Sequence, residues 1–477
     1  MSRRLILLAG IAFAAASPRA ARAQDNARYV GTWQGALNVG LMKLRLGLTV
    51  QRDSAGMLTG SVTSIDQGNA VIPGSLAVHG DSLAITMPMA NAQFRGVLSA
   101  HADSLSGVFH QGADLPLVFT RVQSFSTNTR PQEPKPPYPY QTRDVQFESV
   151  PGVRLAGTIA LPEGPGPFPA VVFVTGSGPQ NRDEELMGHK PFLVIADYLA
   201  RHGIASLRTD DRGTASSTGN FATATSADFA DDAEAALRFL RAQPKINPAR
   251  VGMIGHSEGG LIAPMVAARN HDVAFIVLLA GPGIAGDSVM ILQQRLVATA
   301  AGTPPAAMEA NARFNRKIFA AIRAGGDSAT IVARLRPAVD EFVASYTGTL
   351  SRDSVRKAVI LSASQTLGPW FRYFLTYDPT VALRKTHVPV LALNGTKDLQ
   401  VPYKEDLGGI EAALKAGGNR DYQTVALPGL NHLFQTANTG AISEYNEISE
   451  TFSPAALQRI TDWISQRFGA SARMPNP

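Results

Sequence analysis

The 477-residue sequence has no cysteine. That excludes a disulfide framework and leaves no acylatable thiol for a lipoprotein anchor. It also has no long hydrophobic run: the stretch from Leu5 to Ala16 is the apolar core of the N-terminus and is too short to span a bilayer. A strong charge of one sign is missing as well. The formal net charge is +6, but Arg3, Arg4, Arg19 and Arg22 supply four of those charges within a segment that carries no acid, leaving about +2 beyond it. No basic cluster with interleaved aromatics remains, so nucleic acid is not an expected partner. Hydrophobic residues make up 45% and charged residues 17%, as in an ordinary globular chain, and the length suits two or three domains.

What is present begins with a leader pattern. Residues 1–23 run from basic (Arg3, Arg4) through apolar to Ala21-Arg22-Ala23, the order of a secretory signal peptide. The expectation is export without a stable membrane anchor and residence in the periplasm. Ser2-Arg3-Arg4 leaves the twin-arginine route open beside the general one. From 24 to 125 short strand patterns recur, at Leu44–Val50, Leu58–Ser64, Gly74–Val78, Ser82–Met87, Phe94–Leu98, Ser104–Phe109 and Pro116–Arg121, with Gly, Asp and Ser at the breaks. They predict a small all-β antiparallel meander, a barrel or a sandwich. Gly31-Thr32-Trp33 resembles the G-x-W start of lipocalin-like barrels. His79, His101 and His110 are scattered without metal spacing and read as surface or hydrogen-bonded residues. Five prolines between Pro131 and Tyr140 predict an extended spacer over 126–143.

Beyond it, strands alternate with helices. Val145–Glu148, Arg154–Leu161, Pro169–Thr175, Ile204–Arg208, Val251–Ile254, Ala274–Leu279, Pro389–Leu393 and Tyr422–Leu427 read as strands; Pro191–His202, Phe229–Ala242, Glu405–Ala416 and Pro454–Phe468 read as helices. This demands a mostly parallel sheet with helices on both faces, over 144–283 and 387–470. The interval 284–386 follows helical periodicity, as in Asn311–Ile322 and Val355–Ser364, and predicts a helical cap over the carboxyl edge of the sheet.

The chemistry centres on Gly255-His256-Ser257-Glu258-Gly259-Gly260. A buried strand, a G-x-S-x-G turn and an Ala-rich helix are what a nucleophile elbow requires. A serine on so sharp a turn is strained, and side chains two residues to either side would collide with strand or helix. With Gly176–Glu184, Asp210–Gly213 and Pro369–Phe374, the region Val145–Phe468 resembles the α/β-hydrolase superfamily, and within it bacterial exported esterase-like serine hydrolases that carry an N-terminal β-domain. The resemblance implies a nucleophile, an acid and a histidine in that order. Ser257, Asp398 in Asn394–Pro402, and His432 in Pro428–Phe434 fit, with Asp406 and Asp421 as rival acids. A serine hydroxyl needs an adjacent base, His432, and Asp398 would fix that imidazole's tautomer. The backbone N–H of Glu258 is the expected first oxyanion donor, and the resemblance puts the second at Ser177 or Gly178, although Thr175 replaces the usual His of that loop. Asp210-Asp211-Arg212-Gly213 suggests a loop-bracing ion network, with a substrate contact as the alternative. Trp370 and Phe371 are candidates for the pocket wall.

The expected activity is hydrolysis of small carboxylic esters through an acyl-enzyme on Ser257, with no metal or organic cofactor implied. The alternative is a serine peptidase of aminopeptidase or dipeptidyl-peptidase type, in which Glu184 or Glu185 would anchor a substrate ammonium. A binding protein on a retired hydrolase fold is the reading from another class.

Overall fold

The computed structural model describes residues 26–39, 42–67, 69–125, 129–346, 351–365 and 367–469. The leader pattern of residues 1–23 lies outside them. The chain divides into two compact units, Met1–Thr127 and Asn128–Pro477.

In the first unit β1 (Gly31–Val39), β2 (Met42–Arg52), β3 (Leu58–Ser64), β4 (Ala70–His79), β5 (Ser82–Met87), β6 (Ala92–Leu98), β7 (Ser104–His110) and β8 (Asp114–Val122) pair in sequence order, and β8 closes on β1 through Gln34↔Thr120 and Thr32↔Val122. The result is a closed up-and-down barrel, which leaves no sheet edge to protect. Period-2 alternation drives it: in β6 the inward positions Ala92, Phe94 and Leu98 are buried while Arg95 and Val97 face out. Phe94 meets Phe119 edge to face at 5.0 Å. Trp33 is fully buried, donates its indole N–H to the Tyr29 carbonyl at 3.0 Å, and carries the Arg121 guanidinium 4.0 Å above its ring.

β1 is absent from the strands expected individually, and its pattern explains why. Only Trp33 and Leu37 are fully buried, because the inward position between them is Gly35. A Cβ there would stand 2.4 Å from the Val118 carbonyl, so the strand surrenders one hydrophobic position to let the barrel close.

The second unit holds an eight-stranded sheet in the order β16 (Tyr422–Leu427), β15 (Val390–Gly395), β14 (Ile276–Leu279), β13 (Ile246–His256), β11 (Phe168–Val174), β12 (Ala205–Thr209), β10 (Arg154–Leu161) and β9 (Gln141–Glu148). β10 runs antiparallel to both its neighbours and the remaining pairs are parallel. Helices Ser226–Arg241, Glu258–Ala267 and Tyr403–Ala416 bury one face, through residues such as Leu237, Ile262 and Ile410. Helices Pro191–Arg201 and Pro454–Phe468 bury the other, through Phe192, Leu199, Ile460 and Trp463. Central strands buried on both faces account for their unbroken apolar runs.

Between β14 and β15 stand the cap helices Gly286–Ala300, Pro305–Arg323, Ser328–Ser345, Arg352–Gln365 and Pro369–Thr376, with a core of their own around Phe319, Ile331, Leu335 and Val339. The base of the cap is held by Asp406, which accepts the Gly283 N–H at 2.8 Å.

The proline-rich spacer needs correcting. β9 already starts at Gln141, and the preceding residues are fastened to the second unit. Arg130 donates to the carbonyls of Met187, Asn446 and Ile448, and Gln132 to that of Phe452. Lys190 meets Glu133 at 2.8 Å and Tyr140 donates to Asp197 at 2.9 Å. The prolines keep this stretch out of the sheet, while the polar residues among them satisfy loop carbonyls that would otherwise be unpaired.

Candidate active site

β13 ends at His256, and Ser257 opens the helix Glu258–Ala267 with φ 53° and ψ −115°. An L-residue rarely adopts this conformation, and the surrounding packing over-determines it. A Cβ on Gly255 would lie 2.0 Å from the Gly259 carbonyl, and one on Gly259 would lie 2.1 Å from the Val174 carbonyl. The two glycines of G-x-S-x-G therefore let the strand, the helix and the loop after β11 pass within backbone contact. Ser257 stays partly open while Glu258, Gly259 and Gly260 are buried.

The loops after β15 and β16 bring the other two residues together. His432 Nδ1 bonds Asp398 Oδ2 at 2.8 Å, and both side chains are buried. The other oxygen, Asp398 Oδ1, accepts the N–H groups of Gln400 and Val401 at 2.7 and 2.9 Å, which fixes the carboxylate's orientation. The rival acids are committed elsewhere: Asp406 to Gly283, and Asp421 to Arg467 on the surface. His432 is tied to the elbow by its main chain. His256 Nε2 bonds the His432 carbonyl at 2.9 Å, and the two rings lie 4.9 Å apart.

The loop after β11 closes over the elbow. A Cβ on Gly176 would stand 3.2 Å from the Ser257 Cβ. The Gly176 N–H is already taken by Glu184 Oε1 at 2.8 Å, whereas Ser177, the oxyanion-donor candidate, is exposed. Thr175, the departure from the usual His, donates its hydroxyl to Asp211 Oδ1 at 2.6 Å, and the Gln180 N–H bonds Asp211 Oδ2 at 2.9 Å. Burial pushes Asp211 up to about 8, against the pull of those two donors and with help from the charges of Glu258 and Glu184.

The bracing network expected at Asp210–Gly213 has different partners from its neighbours in sequence. Arg212 pairs with Asp232 at 2.6 and 2.9 Å and donates to the Asp228 carbonyl, Asp210 pairs with Arg182, and Asp211 serves the loop. A sharp turn points adjacent side chains in divergent directions, so the arginine finds acids on the helix Ser226–Arg241.

The two aromatic candidates part company. Trp370 donates its indole N–H to Glu258 Oε1 at 2.7 Å, joining the cap to the residue next to Ser257, and stacks on Phe374 at 5.5 Å. Phe371 turns into the cap core near Phe319. Glu258 Oε1 also accepts the Ser226 hydroxyl at 2.6 Å, and burial raises the pKa of its carboxyl. Sequence reasoning missed this bond and the bonds of His256 and Glu184. The residues were visible inside the motifs, but partners 112 and 72 positions away were not.

A parallel sheet flanked on both faces, with a strained serine at the end of its central strand and a His–Asp pair on later loops, defines an α/β-hydrolase. Residues 151–407, more than half of the 477-residue chain, match the X-Pro dipeptidyl-peptidase (S15 family). The chain belongs to that family of α/β-hydrolase-fold serine hydrolases. It is 26% identical over 301 residues to the esterase EstD of Thermotoga maritima, covering 62% of this chain and 61% of the relative. To the mitochondrial acyl-coenzyme A thioesterase 2 of Homo sapiens it is 28% identical over 151 residues, 30% of this chain and 28% of the human protein. The chain thus spans less than two thirds of the length of these relatives. Among solved structures, the α/β hydrolase GrgF from Penicillium sp. sh18 aligns at TM-score 0.42 and 16% identity over 69% of this chain and 99% of that one. The Pyrococcus furiosus esterase Pf2001 aligns at TM-score 0.42 and 14% identity over 69% and 94%.

Proposed function

We propose that this hydrolase cleaves small carboxylic esters, with Ser257 as nucleophile, His432 as base and Asp398 as the group that orients it. The observation that carries the reading is the strained Ser257 elbow together with a buried, hydrogen-bonded His432–Asp398 pair, joined through the bond from His256 to the His432 carbonyl. Ser257 Oγ attacks the ester carbonyl while His432 Nε2 takes its proton. The tetrahedral oxyanion is held by the Glu258 N–H and a donor at Ser177. His432 returns the proton to the leaving alcohol, and the resulting acyl-serine is hydrolysed by a water that His432 activates in turn.

Two observations favour esters. The relative EstD is an esterase. Glu184, one of the two acids that could have anchored a peptide's ammonium group, is buried and engaged by Gly176 and His256. Family membership supports the second reading, a peptidase acting on X-Pro substrates. Purified protein assayed with short p-nitrophenyl esters and with X-Pro p-nitroanilides separates the two. The ester reading expects higher kcat/KM on the esters, lost in Ser257→Ala; higher kcat/KM on the anilides would replace it with the peptidase reading. The leader pattern of residues 1–23 supports action in the periplasm. Expression of the full chain should give a periplasmic product starting at Gln24, and an uncleaved cytoplasmic product would contradict that.

A further inference from the structure

Beside Ser257 lies a buried pair that the mechanism above does not use. Glu184 is 4% and His256 6% exposed. Glu184 Oε1 accepts the Gly176 N–H at 2.8 Å and meets His256 Nδ1 at 2.9 Å, and His256 Nε2 faces the His432 carbonyl at 2.9 Å. Both partners of the His256 ring are acceptors: a carboxylate oxygen and a main-chain carbonyl. A neutral imidazole has one N–H and one lone pair, so it would leave one of these contacts without a proton. With the proton on Glu184 Oε1 the carboxyl could donate it to Nδ1, but that same oxygen accepts the Gly176 N–H, and a carboxylate oxygen accepts two such bonds better than a hydroxyl oxygen does, which favours the proton on the ring. The ion pair satisfies every polar contact of the ring.

We propose that His256 is a resident imidazolium, paired with Glu184, and that the two act as positioning residues binding the oxyanion loop at Gly176 to the His432 carbonyl. The proposal rests on the catalytic roles given above to Ser257 and His432. Its physical content is a strut. One end fixes the loop that overhangs Ser257, the other fixes the main chain of the base, and the middle is the strand residue immediately before the nucleophile. The charged and titratable groups facing the ring are Glu184 on the loop after β11, Asp398 on the loop after β15 and His432 on the loop after β16. Phe434 closes it edge-on at 6.4 Å. Burial pulls the pKa of His256 down; the Glu184 carboxylate, the bond to the His432 carbonyl and the Asp398 charge together outweigh it and the net shift is upward. The strut is therefore intact at neutral pH and fails as pH rises through the raised value.

The tests separate this claim from the catalytic one. In the full-length protein labelled with ¹⁵N-histidine, the His256 ring, assigned through Gly255 and Ser257, should show both nitrogens protonated at pH 7. A neutral tautomer overturns the proposal whether or not the protein is active. In kinetics on a p-nitrophenyl ester, Glu184→Gln keeps an acceptor for Gly176 but removes the charge. It should lower kcat by about ten- to a hundredfold, the worth of a charged hydrogen bond, with little change in KM. It should also move the alkaline limb of the pH profile to lower pH. His256→Gln offers an amide donor to the His432 carbonyl with no proton to lose, and should keep more activity than Glu184→Gln while losing that alkaline limb. Profiles of both variants that superimpose on wild type would overturn the strut. No ester turnover in the wild type itself would count against the function proposed above and leave the protonation measurement to decide this one.

Discussion

The barrel and the carboxyl edge of the large sheet are built from the same backbone logic and spend polar groups in opposite ways. The barrel core is aromatic and aliphatic, with Trp33, Leu48, Ile85, Phe94 and Phe119 fully buried, its buried Asp66 sits after β3 in a pair with Arg45, and His79, His101 and His110 stay on the surface. Around Ser257 the chain buries Glu184, His256, Glu258, Asp398 and His432, each held by hydrogen bonds from residues distant in sequence. Burying ionisable groups is costly unless each is paired. Such a cluster of buried ionisable groups singles out the sheet edge as the candidate site.

The largest effects belong to the sheet edge. Ser257→Ala should reduce kcat on the order of 10⁶-fold, and Asp398→Asn, which disturbs the tautomer of His432, about 10⁴-fold, both with thermal unfolding little changed. Steady-state ester hydrolysis reads both; variants retaining wild-type rates would erase the contrast between the two regions. The barrel answers differently. Trp33→Ala should cost its fold about 4 kcal/mol in denaturant unfolding followed by circular dichroism, by leaving a cavity beneath Arg121.

Acid sharpens the comparison next. His189 is fully buried between Thr451 and the Tyr445 carbonyl, and burial, with the nearby Arg130 charge, depresses its pKa to about 4. The unfolded chain takes up that proton near pH 6.5 and the folded one only near 4. The hydrolase unit should therefore lose about 3 kcal/mol as pH falls from 6.5 to 4, a loss His189→Gln removes. Among its described residues the barrel buries no histidine, so it has no counterpart to His189. The smallest effect falls on the cap. Trp370→Phe deletes the N–H given to Glu258 and should lower kcat/KM by up to about tenfold. An unchanged kcat/KM would mean that the cap–elbow bond carries no catalytic weight.

How much was legible in the sequence follows the same division. Strands with strict alternation or continuous apolar runs, such as Leu58–Ser64, Ser82–Met87 and Arg154–Leu161, are recovered to the residue, because period and burial are local properties. β1 was hidden by Gly35, whose reason lies on the neighbouring strand β8 at Val118. Around Ser257, the glycines and the order of Asp398 and His432 could be read, since both follow from where strands end. The partners of Arg212 could not, nor those of Glu184, His256 and Glu258. They are set by which loops the sheet order makes adjacent, and strand order β13-β11-β12 is not written in any local pattern. The proline-rich stretch misled for a related reason: its composition describes its backbone, not the carbonyls that Arg130 and Gln132 reach.

The central claim, that Ser257 is the nucleophile of this hydrolase, is tested most directly by intact-protein mass spectrometry after incubation with a fluorophosphonate. A single adduct per chain on the peptide containing Ser257, absent in Ser257→Ala, is the predicted result. No adduct, or an adduct that persists in Ser257→Ala, would contradict it.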